Sequence, residues 1–196
     1  VSGTGADQPA GSVTVTGHHV GLFGADIKAS GDAGGGTVLI GGDYQGKNPA
    51  VQNAAATYMS ADSMITADAI SNGNGGKVIL WSDESTRAYG SITARGGALG
   101  GNGGLIETSG HWLDVFGISA NASAPNGNRG LWLLDPADIT IVAAATANGS
   151  FNAGNPNVFT PDPGQTTATV DVATIVGNAG TGLTGGTAFP LTFVPG

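Results

Sequence analysis

Apolar residues in this chain come in short runs, each bounded by Gly, Asn, Asp or Ser, and the runs return in a fixed order. One phrase repeats as Ile27-Lys28-Ala29, Ile65-Thr66-Ala67, Ile92-Thr93-Ala94 and Ile118-Ser119-Ala120, with the isoleucines 38, 27 and 26 residues apart. Each phrase is followed by a glycine that opens an apolar run: Gly36 before Thr37 to Ile40, Gly76 before Lys77 to Leu80, Gly104 before Leu105 and Ile106, and Gly130 before Leu131 to Leu134. These glycines lie 40, 28 and 26 residues apart, so the two landmarks drift together. A unit of about 26 residues with roughly 12 more inserted once indicates stacked supersecondary units that bury a shared core between neighbours.

The pattern predicts strands. Segments 13–15, 20–23, 37–40, 77–81, 112–116 and 139–142 are short and rich in β-branched or aromatic residues. The best helical candidate, 51–59, is short and has no clear cap. Each unit carries three strand signals: the glycine-led run, a middle piece such as Thr86 to Tyr89 or His111 to Val115, and the Ile-x-Ala piece. Three strands per turn predict a triangular parallel β-helix, in which stacking at about 4.8 Å pairs every backbone group along the axis and inward Ile, Val, Leu and Ala fill the middle. Asn-Gly pairs at 72–73, 74–75, 102–103, 126–127 and 148–149 are expected to form corners, because both residue types tolerate positive φ. The repeat region is expected over 11–142, with an insertion near 44–58. Residues 143–196 read as an irregular, loop-rich C-terminal extension, an end cover or an incomplete further turn, with weak strand signals at 170–176 and 191–194.

Composition narrows the class. Glycine is 36 of 196 residues and charged residues are 10%, which removes an ordinary helical enzyme from consideration. The absence of glycine at every third position removes collagen. The net charge of −8, with only six scattered basic residues, leaves no stripe to neutralise phosphates, so neither nucleic acid nor an anionic membrane surface is an expected partner. Cysteine is absent, which excludes disulfides and thiolate metal sites. No apolar run is long enough to span a bilayer, and any export signal is expected outside this sequence.

Several consecutive phrases then carry a resemblance. Gly73-Asn74-Gly75-Gly76-Lys77-Val78-Ile79-Leu80-Trp81-Ser82-Asp83, Gly90-Ser91-Ile92-Thr93-Ala94-Arg95-Gly96-Gly97, Gly101 to Gly110, and Leu131 to Ile141 with its Leu134-Asp135-Pro136-Ala137-Asp138 follow one another in order. Together, from about residue 36 to 142, they resemble the filamentous-haemagglutinin-like exoproteins of bacterial two-partner secretion. The resemblance implies a right-handed β-helical segment of a very large, secreted cell-surface adhesin, exported through a dedicated outer-membrane transporter. Its partner would be a host-cell, matrix or neighbouring-cell receptor or glycan. The family's N-terminal secretion motifs have no counterpart here, so the chain is expected to be an internal or C-terminal stretch of the stalk.

Candidate chemistry is thin. Asp62, Asp68, Asp83, Glu84, Glu107, Asp114, Asp135 and Asp138 fall at different phases of the unit, so they read as solvated or corner-capping carboxylates and no catalytic site is expected. The Gly-rich stretches lack the aspartate of calcium-binding β-roll repeats, and His18, His19 and His111 have no metal-ligand spacing, so no metal or cofactor is expected. Ser109 beside His111 lacks a nucleophile elbow. The aromatics Tyr44, Tyr58, Trp81, Tyr89 and Trp112 are the candidate binding surface, weighed against plain packing, the role favoured for them here. Asn121 and Asn148 head two glycosylation sequons in expected exposed turns. The function expected is a stiff β-helical stalk in a surface adhesin, not an enzyme. The alternative is a β-helical carbohydrate-binding or carbohydrate-degrading protein that uses outward aromatics and carboxylates.

Overall fold

The computed structural model describes residues 2, 3 and 5–135 and, beyond them, the backbone of five short strands. The described chain is an all-β parallel solenoid of three faces. Coil 1 contains β1 (Ser12–Val15), β2 (His19–Leu22) and β3 (Asp26–Lys28); coil 2 contains β4 (Thr37–Ile40), β5 (Ala56–Met59) and β6 (Met64–Thr66). In coil 3, β7 (Lys77–Ala88) runs continuously round one corner before β8 (Ser91–Thr93). Coil 4 repeats this with β9 (Leu105–Asp114) and β10 (Ser119–Asn121), and β11 (Leu131–Asp135) opens coil 5.

The first face pairs β1, β4, the start of β7, the start of β9 and β11, all parallel. The second pairs β2, β5 and the later parts of β7 and β9. The third pairs β3, β6, β8 and β10. Strand alternation explains what fills the middle. Val38, Val78 and Ile106 stack on the first face, Met59 and Ala88 on the second, and Ile65 and Ile92 on the third, and all seven are completely buried.

The two sequence landmarks prove to be hydrogen-bonded to each other. The alanine ending each third-face strand accepts from the glycine that opens the next coil: Gly36 N to Ala29 O at 2.7 Å, Gly76 to Ala67 at 2.7 Å, Gly104 to Ala94 at 2.8 Å and Gly130 to Ala122 at 2.8 Å. The glycines themselves sit over one another, and a Cβ on Gly76, Gly104 or Gly130 would meet the carbonyl of the glycine one coil back at about 2 Å. Only a residue without a side chain fits there. The fourth isoleucine departs from expectation: Ile27, Ile65 and Ile92 are in register, but Ala120 and not Ile118 lies opposite Ile92. Leu105 to Ser119 spans the same 14 residues as Lys77 to Ser91, so the third-face strand begins at Ser119 and the phrase that aligns is Ala120-Asn121-Ala122.

The Asn-Gly corners also differ in detail. Positive φ occurs at Gly73 and Gly101, one after an asparagine and one before it. The asparagines instead form a ladder, with Asn102 N–H donating to Asn74 Oδ1 (2.8 Å) and Asn128 N–H to Asn102 Oδ1 (2.9 Å). Removing one rung by Asn102→Ala is expected to lower stability by about 1 kcal/mol, measured by urea denaturation, because an exposed hydrogen bond is exchanged for one to water.

An insertion lies in coil 2 at 41–55, between β4 and β5, slightly earlier than expected. It contains a single 3-10 turn at Tyr44–Gly46, and the helical candidate 51–59 ends instead in β5. Past β11, β12 (Thr140–Val142) pairs in parallel with β15 (Thr169–Asp171), and β13 (Gly149–Phe151) pairs antiparallel with β14 (Phe159–Pro161). β16 (Leu191–Phe193) adds in parallel to β11, a further rung of the first face. The rest of the 143–196 extension lies outside the described residues.

Candidate functional site: an aromatic groove on the second face

Alternation that turns Val20, Leu22, Thr57 and Met59 inward turns His19, Gly21, Tyr58, Ser85, Arg87, Trp112 and Asp114 outward. Register then orders these side chains along the axis. One row runs His19, Ala56, Ser85, Trp112, and the next runs Gly21, Tyr58, Arg87, Asp114. The small members Gly21, Ala56 and Ser85 leave a depression of about 470 Å³ between His19, Phe23, Tyr58 and Arg87.

The walls are aromatic and mutually supported. The Phe23 ring folds back over Gly21, where a Cβ would come within 2.5 Å of it, and stands 5.2 Å from the Tyr58 ring. Tyr58 meets Tyr89 edge-on at 5.8 Å. At the far end the Arg87 guanidinium lies over the Trp112 ring at 5.0 Å. Tyr89 Oη donates to Asp114 Oδ2 at 2.9 Å, and burial together with that acceptor pushes its hydroxyl up to about 12. Phe23 is 75% exposed and Trp112 48%, so large apolar surface faces solvent at both ends of this face.

Three of the five aromatics singled out from the sequence, Tyr58, Tyr89 and Trp112, therefore share this face. Tyr44 and Trp81 do not. Trp81 points outward from the first face, its indole N–H on Asp83 and its ring beneath Gly42 and Gly46 of the insertion, so it is packing; Tyr44 sits on the insertion itself. Phe23, Arg87 and His19 were missed as site residues. The signal was available, because inward Val20 and Leu22 place Gly21 and Phe23 on the opposite side.

A second feature lies under the insertion. Leu39, Ile79, Glu107 and Leu133 form an outward row on the first face, and all four are buried. Glu107 corrects the expectation of a solvated carboxylate. Both its oxygens accept from the Gln45 N–H (3.1 and 3.2 Å), which the left-handed conformation of Gln45 (φ 53°) aims at them. Burial pushes Glu107 up to about 7, against the Ser109 hydroxyl and the Gln45 N–H; Asp135 and Asp43 add to the rise. Asp43 anchors the same loop through Asn48 (2.8 Å), Lys77 Nζ (2.8 Å) and the Tyr44 N–H (2.7 Å). Although burial opposes it, these donors and the Lys77 charge hold Asp43 at about 2.

Asp68 and Asp62 bond from one coil to the next. Asp68 takes three hydrogen bonds from Arg95, through its backbone N–H, Nε and Nη2. Asp62 accepts from the Gly24 N–H and from Ser60. Asn121 is not in an exposed turn: it belongs to β10, is half-buried, and its side-chain oxygen accepts from the Ser123 N–H. Asn148 and Asp138 lie outside the described residues. His18 and His19 are exposed and pack edge-on at 4.5 Å. No helix among the described residues is long and apolar enough to cross a membrane. No family model matches the chain, and no curated protein matches it.

Proposed function

We propose that this chain is a rigid β-helical stalk segment of a large secreted bacterial surface adhesin, of the two-partner-secretion kind its phrases resemble, and that its second face is a presentation surface. The observation that carries the reading is residue-for-residue register over successive coils, with one outward face left aromatic. A ladder of this kind gains stability coil by coil and makes a stiff spacer of any length. Its contacts are local in coil order, which suits folding as a chain emerges from a transporter.

Beads coated with the chain are expected to attach to host cells or extracellular matrix, and beads bearing Tyr58→Ala with Trp112→Ala to attach several-fold less. Fused behind a two-partner secretion domain, the chain is expected to reach the cell surface. Failure of both attachment and export would remove the reading.

The groove favours one further reading, a β-helical carbohydrate-binding or carbohydrate-degrading protein. Asp114 is a carboxylate hydrogen-bonded to the aromatic wall, held by Tyr89 and by the Phe116 N–H. Polysaccharide cleavage that Asp114→Asn abolishes would establish the degrading form in place of the stalk.

A further inference from the structure

We propose that the groove on the second face is a binding site for a neutral oligosaccharide lying along the solenoid axis, its sugar rings stacked on Phe23, Tyr58 and Trp112. The proposal rests on the presentation surface put forward above and names what that surface holds.

The first argument is repeat length. Each coil contributes one large outward ring or planar group to this face: Phe23 from coil 1, Tyr58 from coil 2, Arg87 with Tyr89 from coil 3, and Trp112 from coil 4. Coils are about 4.8 Å apart. A pyranose in an extended β-linked chain advances by a similar distance, so successive sugars keep pace with successive coils, the rings being offset across the face: Trp112 in the first row, Tyr58 in the second and Phe23 folded over Gly21 of that second row.

The second argument is chemical. A pyranose has an apolar C–H face and a rim of hydroxyls. The groove offers aromatic faces as walls and His19, Ser85 and Arg87 as hydrogen-bonding groups along its floor and edge. Rigid aromatic anchors with a few convergent polar groups are what a small-ligand site requires. Ala56 and Ser85 keep the floor low enough for a ring to enter, beside the Phe23 ring that lies over Gly21.

The third argument is charge. The chain carries −8 overall, and within this face Arg87 is offset by Asp114 in the same row. A polyanionic glycan would meet a repulsive field, whereas a neutral one would not. An extended peptide is disfavoured for another reason: the strands behind the groove already pair on both sides in coils 2 and 3, so no strand edge is open to it there.

The test uses the full chain on an array of neutral oligosaccharides, including β-1,4-linked glucose and N-acetylglucosamine hexamers, with a heparin hexasaccharide as the anionic comparison. At least one neutral probe is expected to bind, to perturb tryptophan fluorescence, and to lose that perturbation in Trp112→Phe. Tyr58→Ala and Phe23→Ala are each expected to weaken binding tenfold or more, and Arg87→Gln several-fold, while Tyr44→Ala on the insertion leaves it unchanged. Thermal melts of each variant separate a lost contact from a lost fold. No binding by any neutral probe, binding by heparin alone, or binding indifferent to Tyr58→Ala and Trp112→Phe would overturn the proposal. If the beads attach to cells through Tyr58 and Trp112 while no neutral glycan binds, the glycan is wrong and the adhesive reading stands.

Discussion

Replacing Gly104 by alanine is expected to cost the solenoid about 3 kcal/mol or more, read as a large fall in the urea midpoint. The new Cβ would lie 1.9 Å from the Gly76 carbonyl oxygen and 2.6 Å from the Gly75 carbonyl carbon. Neither can retreat. Gly76 O is held by the Leu105 N–H at 2.9 Å, and Gly104 N–H is held by Ala94 O at 2.8 Å, so backbone on both sides is fixed by the ladder. Losses of this size come from a small set of causes, of which backbone overlap is one. Gly100→Ala provides the comparison, since a Cβ there meets only the Asn72 side-chain oxygen at 3.1 Å, and its expected cost is below about 1 kcal/mol. Equal midpoints for the two variants would show that the glycine column is not a steric requirement.

The second large effect concerns Glu107 and has a definite direction with pH. Its carboxyl is raised from 4.5 to about 7 in the folded chain, so between those values the folded state holds a proton that the unfolded state has lost. The stabilisation this group contributes is therefore fully present near and below pH 4.5 and is lost as pH rises through 7. The fall amounts to about 3 kcal/mol in all, because every pH step between the two values weakens the fold by about 1.4 kcal/mol. Glu107→Gln keeps an acceptor for the Gln45 N–H and removes the charge. It is expected to flatten the pH profile between 5 and 8 and to make the protein more stable than wild type at pH 8 by up to about 3 kcal/mol. Identical profiles for the two proteins would mean that the carboxylate is not desolvated beneath the loop. Asp43 acts oppositely, being held at about 2, so its contribution is present at neutral pH and lost only in strong acid.

Much of the solenoid was legible because its repeat is written in residue types with no substitutes. Gly36, Gly76, Gly104 and Gly130 recur because a side chain would strike the coil behind, and Ile27, Ile65 and Ile92 recur because one inward position must be filled at each turn. The slip at Ile118 came from wording alone: the phrase recurs two residues before the position opposite Ile92, which Ala120 fills. The groove was half legible. Tyr58, Tyr89 and Trp112 stand out as large residues, but Phe23 becomes a wall only through Gly21 beneath it and Tyr58 from the next coil. The burial of Glu107 could not be read at all, because its cover, Gln45, comes from 62 residues earlier in the chain.

The detour at 41–55 leaves its neighbours undisturbed: Ile40 still faces Leu80, and Ala56 resumes opposite Ser85. A change of length at that point is absorbed sideways and never re-indexes the residues above or below. The corner between β4 and β5 is thus a place where length can change while the column keeps its count, provided that whatever replaces the detour still roofs Glu107 as Gln45 does.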